Sequence, residues 1–184
     1  MRTCRCGSLL LMLAAVAAMT IAVNTGANAV AAEPETLATS AGVPVALGAG
    51  PVAVTLAPAA GKALSARLAA VGQDRKLYLV AKGLGTDQPP ETIYQLYLGL
   101  PQGTAPNPNG PYYVGALNFF NAVRRGAEAG QPDPRFLSFE VTSLLKTLRT
   151  GNALGDNATV TIVPAGKPRA SARPVIAEIA LVAQ

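Results

Sequence analysis

The 184-residue chain contains no histidine, and its two cysteines, Cys4 and Cys6, both lie at the extreme N-terminus. Histidine is the usual general base near neutral pH and the commonest metal ligand, so its absence removes a wide range of chemistry. Ser-His-Asp and Cys-His nucleophile systems cannot be assembled from these residues. Structural zinc and copper sites need imidazole or thiolate, and neither survives if Cys4 and Cys6 are cut away. The composition points to a protein that folds, shields or binds. It is expected not to be an enzyme by itself, with no catalytic, metal-binding or cofactor-binding residues and no cofactor.

The first residues have the order of an export signal. Arg2 and Arg5 form a basic start, Leu9 to Val23 is apolar apart from Thr20, and Asn24, Thr25 and Gly26 break the run. Two small-residue patterns suited to cleavage follow, Ala27-Asn28-Ala29 and Val30-Ala31-Ala32. The apolar run of 15 residues is short of the roughly 20 that a membrane-spanning helix needs. No cysteine follows that run as a lipid-attachment site, and no arginine pair precedes it. Residues 1–32 are therefore expected to be a secretory signal, and the mature protein to be exported (periplasmic or extracellular) without stable membrane insertion. An uncleaved anchor is the alternative.

Removing 32 of 184 residues leaves 152, the size of one domain. That remainder holds no cysteine, so its stability must come from a packed core and not from disulfides. A chain of this size buries roughly 68–70% of its unfolded surface, enough for such a core. Loss of Arg2 and Arg5 lowers the net charge from +5 to +3, and the remaining cations are dispersed apart from Arg124-Arg125 and Lys167, Arg169 and Arg173. This is no dense basic patch, and nucleic-acid binding is not expected.

Along the remaining chain, residues 33–42 mix small, polar and acidic residues without periodicity and read as a flexible linker. Residues 43–184 read as a single β domain. Val43 to Leu47 and Val52 to Leu56 flank Gly48-Ala49-Gly50-Pro51 as a hairpin-like pair. Further strands are expected at Leu77 to Lys82, Ile93 to Leu100, Tyr112 to Phe120, Phe136 to Val141, Ala158 to Val163 and Pro174 to Val182. Leu64, Leu68 and Val71 give a helical stripe within Ala60 to Val71. A second helix is expected over Ser143 to Thr150, with Thr142 as N-cap and Gly151 as its C-terminal stop. The fold class is all-β, an antiparallel β-sandwich of seven or eight strands with two short helices. Two long loops, Pro101 to Pro111 and Asn121 to Pro134, exceed ordinary connection lengths.

Motifs that could carry chemistry are weak. Ser143-Leu144-Leu145-Lys146 has the S-x-x-K spacing of serine acyl-enzymes but lacks their companion motifs, so a capped surface helix is the better reading. The carboxylates Asp74, Asp87, Glu91, Glu128, Asp133, Glu140, Asp156 and Glu178 are scattered, and most sit beside turn residues. Asn107, Asn109 and Asp133 lack calcium-loop spacing, and Gly48-Ala49-Gly50 and Gly83-Leu84-Gly85 lack the third glycine of a dinucleotide loop. Tyr94, Tyr97, Tyr112, Tyr113, Phe119 and Phe120 crowd around the first long loop. Most are expected in the core, with one or two free to fill a partner's pocket.

The segments YQLYLGLPQG, PYYVGALNFFNA, FLSFEVTSLLKTLR, ATVTIVPAG and VIAEIALV, in this order, cover nearly all of Val43 to Gln184. Together they resemble the β-domain that follows the dicopper domain in bacterial tyrosinase-like proteins and, more distantly, in plant polyphenol oxidases. In those enzymes six histidines of a separate helical domain hold two coppers, so no copper ligand carries over to any residue here. The resemblance implies an auxiliary role in which an aromatic side chain of the β-domain enters the partner's substrate pocket. By position the candidate partner contacts are Tyr112 and Tyr113, with Phe119 and Phe120 behind them. Alternation along the strand suggests Tyr112 outward and Tyr113 inward. The expected function is an exported, non-catalytic accessory or shielding module, whose partner would be a copper-domain tyrosinase-like protein encoded separately. The alternative is a structural or adhesive envelope β-sandwich with no link to copper oxidases.

Overall fold

The computed structural model describes residues 33–40, 42–123, 135–151, 154 and 156–184. The expected leader, 1–32, and most of the second long loop, including Arg124 and Arg125, lie outside the described residues.

Alternation of apolar with polar or small residues builds the sheet. In β3 (Val52–Pro58), Val52, Val54 and Leu56 turn inward while Ala53, Thr55 and Ala57 face solvent. In β8 (Ala158–Pro164), Ala158, Val160 and Ile162 are buried, and the register pairs them with Leu56, Val54 and Val52. The two strands thus contribute matched apolar rows to one core. β7 (Phe136–Glu140) does the same with Leu137 and Phe139, opposite Ala81 and Leu79 of β4 (Leu77–Gly85).

With β1 (Glu35–Thr39), β2 (Val45–Ala46), β5 (Tyr94–Leu98), β6 (Tyr113–Leu117) and β9 (Val175–Ala183), nine strands form one antiparallel sheet. Its order is β6-β5-β8-β3-β1-β9-β4-β7, with β2 added on β9. The sheet curls until its end strands touch. A Cβ placed on Gly115 of β6 would lie 2.6 Å from the Phe139 ring of β7, so the missing side chain lets the ring seat there. No ladder joins these two strands among the described residues, which leaves an antiparallel β architecture just short of a closed barrel.

Two expectations are corrected here. Residues 33–42 do not form a linker, because β1 lies in the middle of the sheet between β3 and β9. Its signal escaped periodicity because a bulge between Thr36 and Ala38 turns the consecutive residues Leu37 and Ala38 both inward. Glu35 then holds the strand in place, its carboxylate bridging Arg67 at 2.8 Å and Arg75 at 3.0 Å. Nor do Val43 to Leu47 and Val52 to Leu56 make a hairpin. β2 pairs with β9, and the Leu47 N–H donates to the Pro174 carbonyl, while β3 pairs with β8 and β1.

The expected helix Ala60 to Val71 is shorter, with a 3-10 turn at Ala59–Gly61 and then α1 (Leu64–Ala70), which buries Leu64 and Leu68. α2 (Thr142–Thr150) buries Leu145 and Leu148 and leaves Ser143 and Lys146 in solvent, as a surface helix does. Thr142 does not cap it. Val141 occupies the cap, and the Thr142 hydroxyl instead accepts a hydrogen bond of 2.9 Å from the Leu77 N–H. Gly151 closes the helix with ordinary backbone angles, its N–H donating to the Thr147 carbonyl.

Candidate interaction site

One end of the barrel gathers the loops 86–93, 118–123 and 165–174 with Arg135 at the start of β7. Its organising residue is Thr86, fully buried, whose hydroxyl lies 2.6 Å from the Gln88 carbonyl and 2.7 Å from that of Ala172. The Thr86 N–H donates to the Ala122 carbonyl at 3.0 Å, and Thr86 bridges Val123 in parallel. Asp87 N–H to Ala172 O and Arg169 N–H to Pro90 O join the loops further. Arg169 pairs with Glu91 and Arg173 with Asp87 at the rim. Such exposed pairs add little stability and serve mainly to orient the loops.

The turn after β6 follows from its sequence, Asn118-Phe119-Phe120-Asn121. The strand stops at Leu117, short of the expected Phe120, because the Asn118 carboxamide turns back to accept the Phe120 N–H at 3.2 Å. Asn121 takes the left-handed conformation (φ 59°), which asparagine tolerates better than most residues, and the Ala122 N–H donates to the Phe119 carbonyl. Phe119 swings inward and meets Tyr94 edge to face with ring centroids 5.8 Å apart. Phe120 is thrown outward, with 81% of its surface exposed. A phenyl ring this exposed, on a turn pinned at Asn118, Phe119, Ala122 and Val123, is a rigid apolar projection.

Beside it lies a cleft of about 690 Å³, lined among others by Pro89, Pro90, Ile93, Asn118 and Arg135. Ile93 is 45% exposed, and Phe136, next to Arg135, is 62% exposed. The side chains facing the cleft are apolar groups, the amides of Asn118 and Asn121, the Thr92 hydroxyl, the Arg135 guanidinium and the Glu91 carboxylate, which is paired with Arg169.

The four candidate aromatics therefore separate. Tyr112 is half-buried against the main core, and Tyr113 is half-buried with its ring 5.6 Å from that of Tyr97. The expected split between an outward Tyr112 and an inward Tyr113 is not seen, because a bulge at the β5–β6 pairing seats Tyr113 opposite Tyr97. Phe119 is an anchor and Phe120 is the projecting ring. Sequence reading missed the loop 86–93, whose role depends on contacts with segments distant in sequence. The Asn-Phe-Phe-Asn pattern was the signal that could have ended β6 earlier.

Two tyrosines in the same region differ in a measurable way. Tyr94 is buried with its hydroxyl lacking a partner among the described residues, whereas the Tyr97 hydroxyl donates to Gln95 Oε1 at 2.7 Å. Burial raises the pKa of Tyr94 above the ordinary tyrosine value, and burial followed by the neighbouring Tyr113 raises that of Tyr97. A raised folded-state pKa contributes stability below pH of about 10 that is lost as pH climbs through the folded value. Tyr94→Phe is thus expected to match or exceed the wild type at pH 7, by up to about 1 kcal/mol, since an orphan hydroxyl disappears. Its advantage should widen above pH 10, while Tyr97→Phe should lose about 1 kcal/mol at pH 7. Urea melts across that pH range measure both.

A family model described as a domain of unknown function, DUF7868, matches residues 33–184. The chain belongs to the DUF7868 family. No curated protein matches its sequence significantly. Among solved structures, this DUF7868 domain is similar to latent apple tyrosinase, with a TM-score of 0.51 and 17% identity over 79% of this chain and 28% of that one. It is similar also to a recombinantly expressed latent aurone synthase, a polyphenol oxidase, with a TM-score of 0.50 and 18% identity over 76% of this chain and 25% of that one. The chain thus spans about a quarter of the structures it matches, and the likeness is one of fold. Copper does not fit this DUF7868 domain: the chain has no histidine, and no three Asp, Glu or Cys side chains converge among the described residues.

Proposed function

We propose that this chain is an exported, non-catalytic accessory module that docks on a protein partner through Phe120, the partner being a copper oxidase domain carried on a separate chain. The observation that carries the reading is the exposed Phe120 ring on a turn held at both sides. Burying such a ring in a pocket is worth about 1.5–3 kcal/mol, and a preorganised turn spares the ordering cost of presenting it. Aromatic anchors of this kind dominate interface energetics. Fold likeness to part of two latent polyphenol oxidases supports the choice of partner class. A phenyl ring in a phenol-binding pocket would exclude substrate without itself being a phenol.

The test mixes the purified protein with a copper oxidase domain that lacks a β-domain of its own and measures binding and phenol oxidation. Phe120→Ala is expected to leave the melting temperature within about 1 °C, since an exposed ring contributes little to folding. Affinity should fall about 10- to 100-fold, with inhibition relieved in step. Unchanged affinity and inhibition would defeat the reading, and absence of any complex with the wild type would favour a structural envelope role.

A further inference from the structure

Among the described residues the sheet has one interruption, and the candidate site is mounted across it. β6 and β7 are its two end strands, each laddered on one side only among the described residues, β6 to β5 and β7 to β4. Where they meet, the Phe139 ring is seated on Gly115, and a Cβ there would come within 2.6 and 2.7 Å of ring atoms. A ring resting on a glycine is a dispersion contact without direction, whereas every other neighbouring pair in the strand order shares backbone hydrogen bonds. The turn carrying Phe120 leaves the end of β6, and Arg135 opens β7. Both line the same cleft, whose remaining wall, Pro89 to Ile93, precedes β5.

We infer that the β6–β7 seam is the line along which the barrel opens, with the Phe139–Gly115 contact as its latch, so that opening moves the Phe120 turn relative to Arg135 and widens the cleft. β6 is held to the rest of the sheet by four residue pairs with β5, interrupted by a bulge between Leu96 and Tyr97. The long β4–β9 and β3–β8 ladders anchor the opposite wall and stay closed. The turn moves with β6 because it continues directly from Leu117, and its contacts outside β6, the Phe119 ring on Tyr94 of β5 and the Ala122 carbonyl on the Thr86 N–H, form the hinge. For function this inference rests on the docking reading, since the seam would set how far Phe120 reaches. The motion itself is read without any partner.

Hydrogen exchange on the full chain tests it. In the wild type, the Thr86 amide, which donates to the Ala122 carbonyl of the turn, and the β6 amides facing β5 should open together, at least about tenfold more often than the β3–β8 amides. Phe139→Ala should raise exchange in both by about a further tenfold and leave β3, β8 and β9 unchanged. Phe139→Leu, which keeps most of the apolar volume, should give a smaller rise in the same two places. Equal protection of β6 and β8 in the wild type overturns the inference even if the alanine variant fails to fold. So does a rise confined to β7, or one spread evenly over all strands. Because exchange is measured without partner, a failed seam leaves the docking reading standing, and a failed Phe120→Ala binding test leaves the seam standing.

Discussion

A chain beginning at Gly42 is expected to show no cooperative unfolding transition, whereas one beginning at Glu33 should melt sharply. The segment removed holds β1, which joins the two halves of the sheet through four residue pairs with β9 and two with β3. Leu37 and Ala38 are fully buried in it, and the Ser40 hydroxyl accepts the Ile179 N–H. Truncating a single buried leucine costs about 2–5 kcal/mol. Losing the whole strand also strands the facing amides and carbonyls of β3 and β9, each at roughly 1–3 kcal/mol when buried. Against a domain stability of about 5–15 kcal/mol this exceeds what the fold can lose. Leu37→Ala supplies the graded version, with an expected loss of about 2–5 kcal/mol in urea melts. A sharp transition from the shortened chain at a similar temperature would show that β1 is dispensable.

Gly83→Ala is expected to destabilise the protein by about 3 kcal/mol, a large effect for one methyl group. Two causes act together at this position. Gly83 adopts φ +63° inside β4, which costs a residue with a Cβ about 1–2 kcal/mol. The added Cβ would also stand 2.6 Å from that of Ala177 on the paired strand β9. Ala177 cannot rotate away, because its Cβ is fixed by a backbone held in the β4–β9 ladder, and overpacking of this sort costs about 1–3 kcal/mol. Ala177→Gly in the same chain should recover the steric part and leave the backbone part, so the double variant should regain roughly half of the loss. Thermal or urea unfolding of the three variants checks this. No recovery would mean that the backbone angle alone sets the cost.

Legibility in the sequence followed the range of the interaction. Eight of the nine strands were visible because alternation such as Val52, Val54, Leu56 or Ala158, Val160, Ile162 is a local pattern that needs no partner to be recognised. β1 was not, since its bulge breaks the alternation and its place between β3 and β9 is decided by chain segments more than a hundred residues apart. Alternation along Tyr94 to Leu98 would place Tyr97 on the face opposite Tyr94, Leu96 and Leu98, yet it is fully buried, with Tyr113 packed against it. The aromatic cluster was recognised as the candidate contact, but alternation alone could not tell which ring projects. Asn118 made that decision by ending β6 and turning Phe119 in and Phe120 out.

By itself the sequence determined the all-β class, the lack of any histidine or thiol chemistry in residues 33–184, and the stretch of chain that carries the candidate contacts. These depend on composition and on periods of two residues, which are properties of neighbours along the chain. Tertiary structure alone decided that the strands form one nearly closed sheet, that Glu35 is clamped by Arg67 and Arg75, and that the cleft beside Phe120 is walled by Pro89 to Ile93 and Arg135. Strand order and loop apposition are set by which apolar rows bury one another most completely. That comparison is made in space, between segments whose separation along the chain carries no record of it.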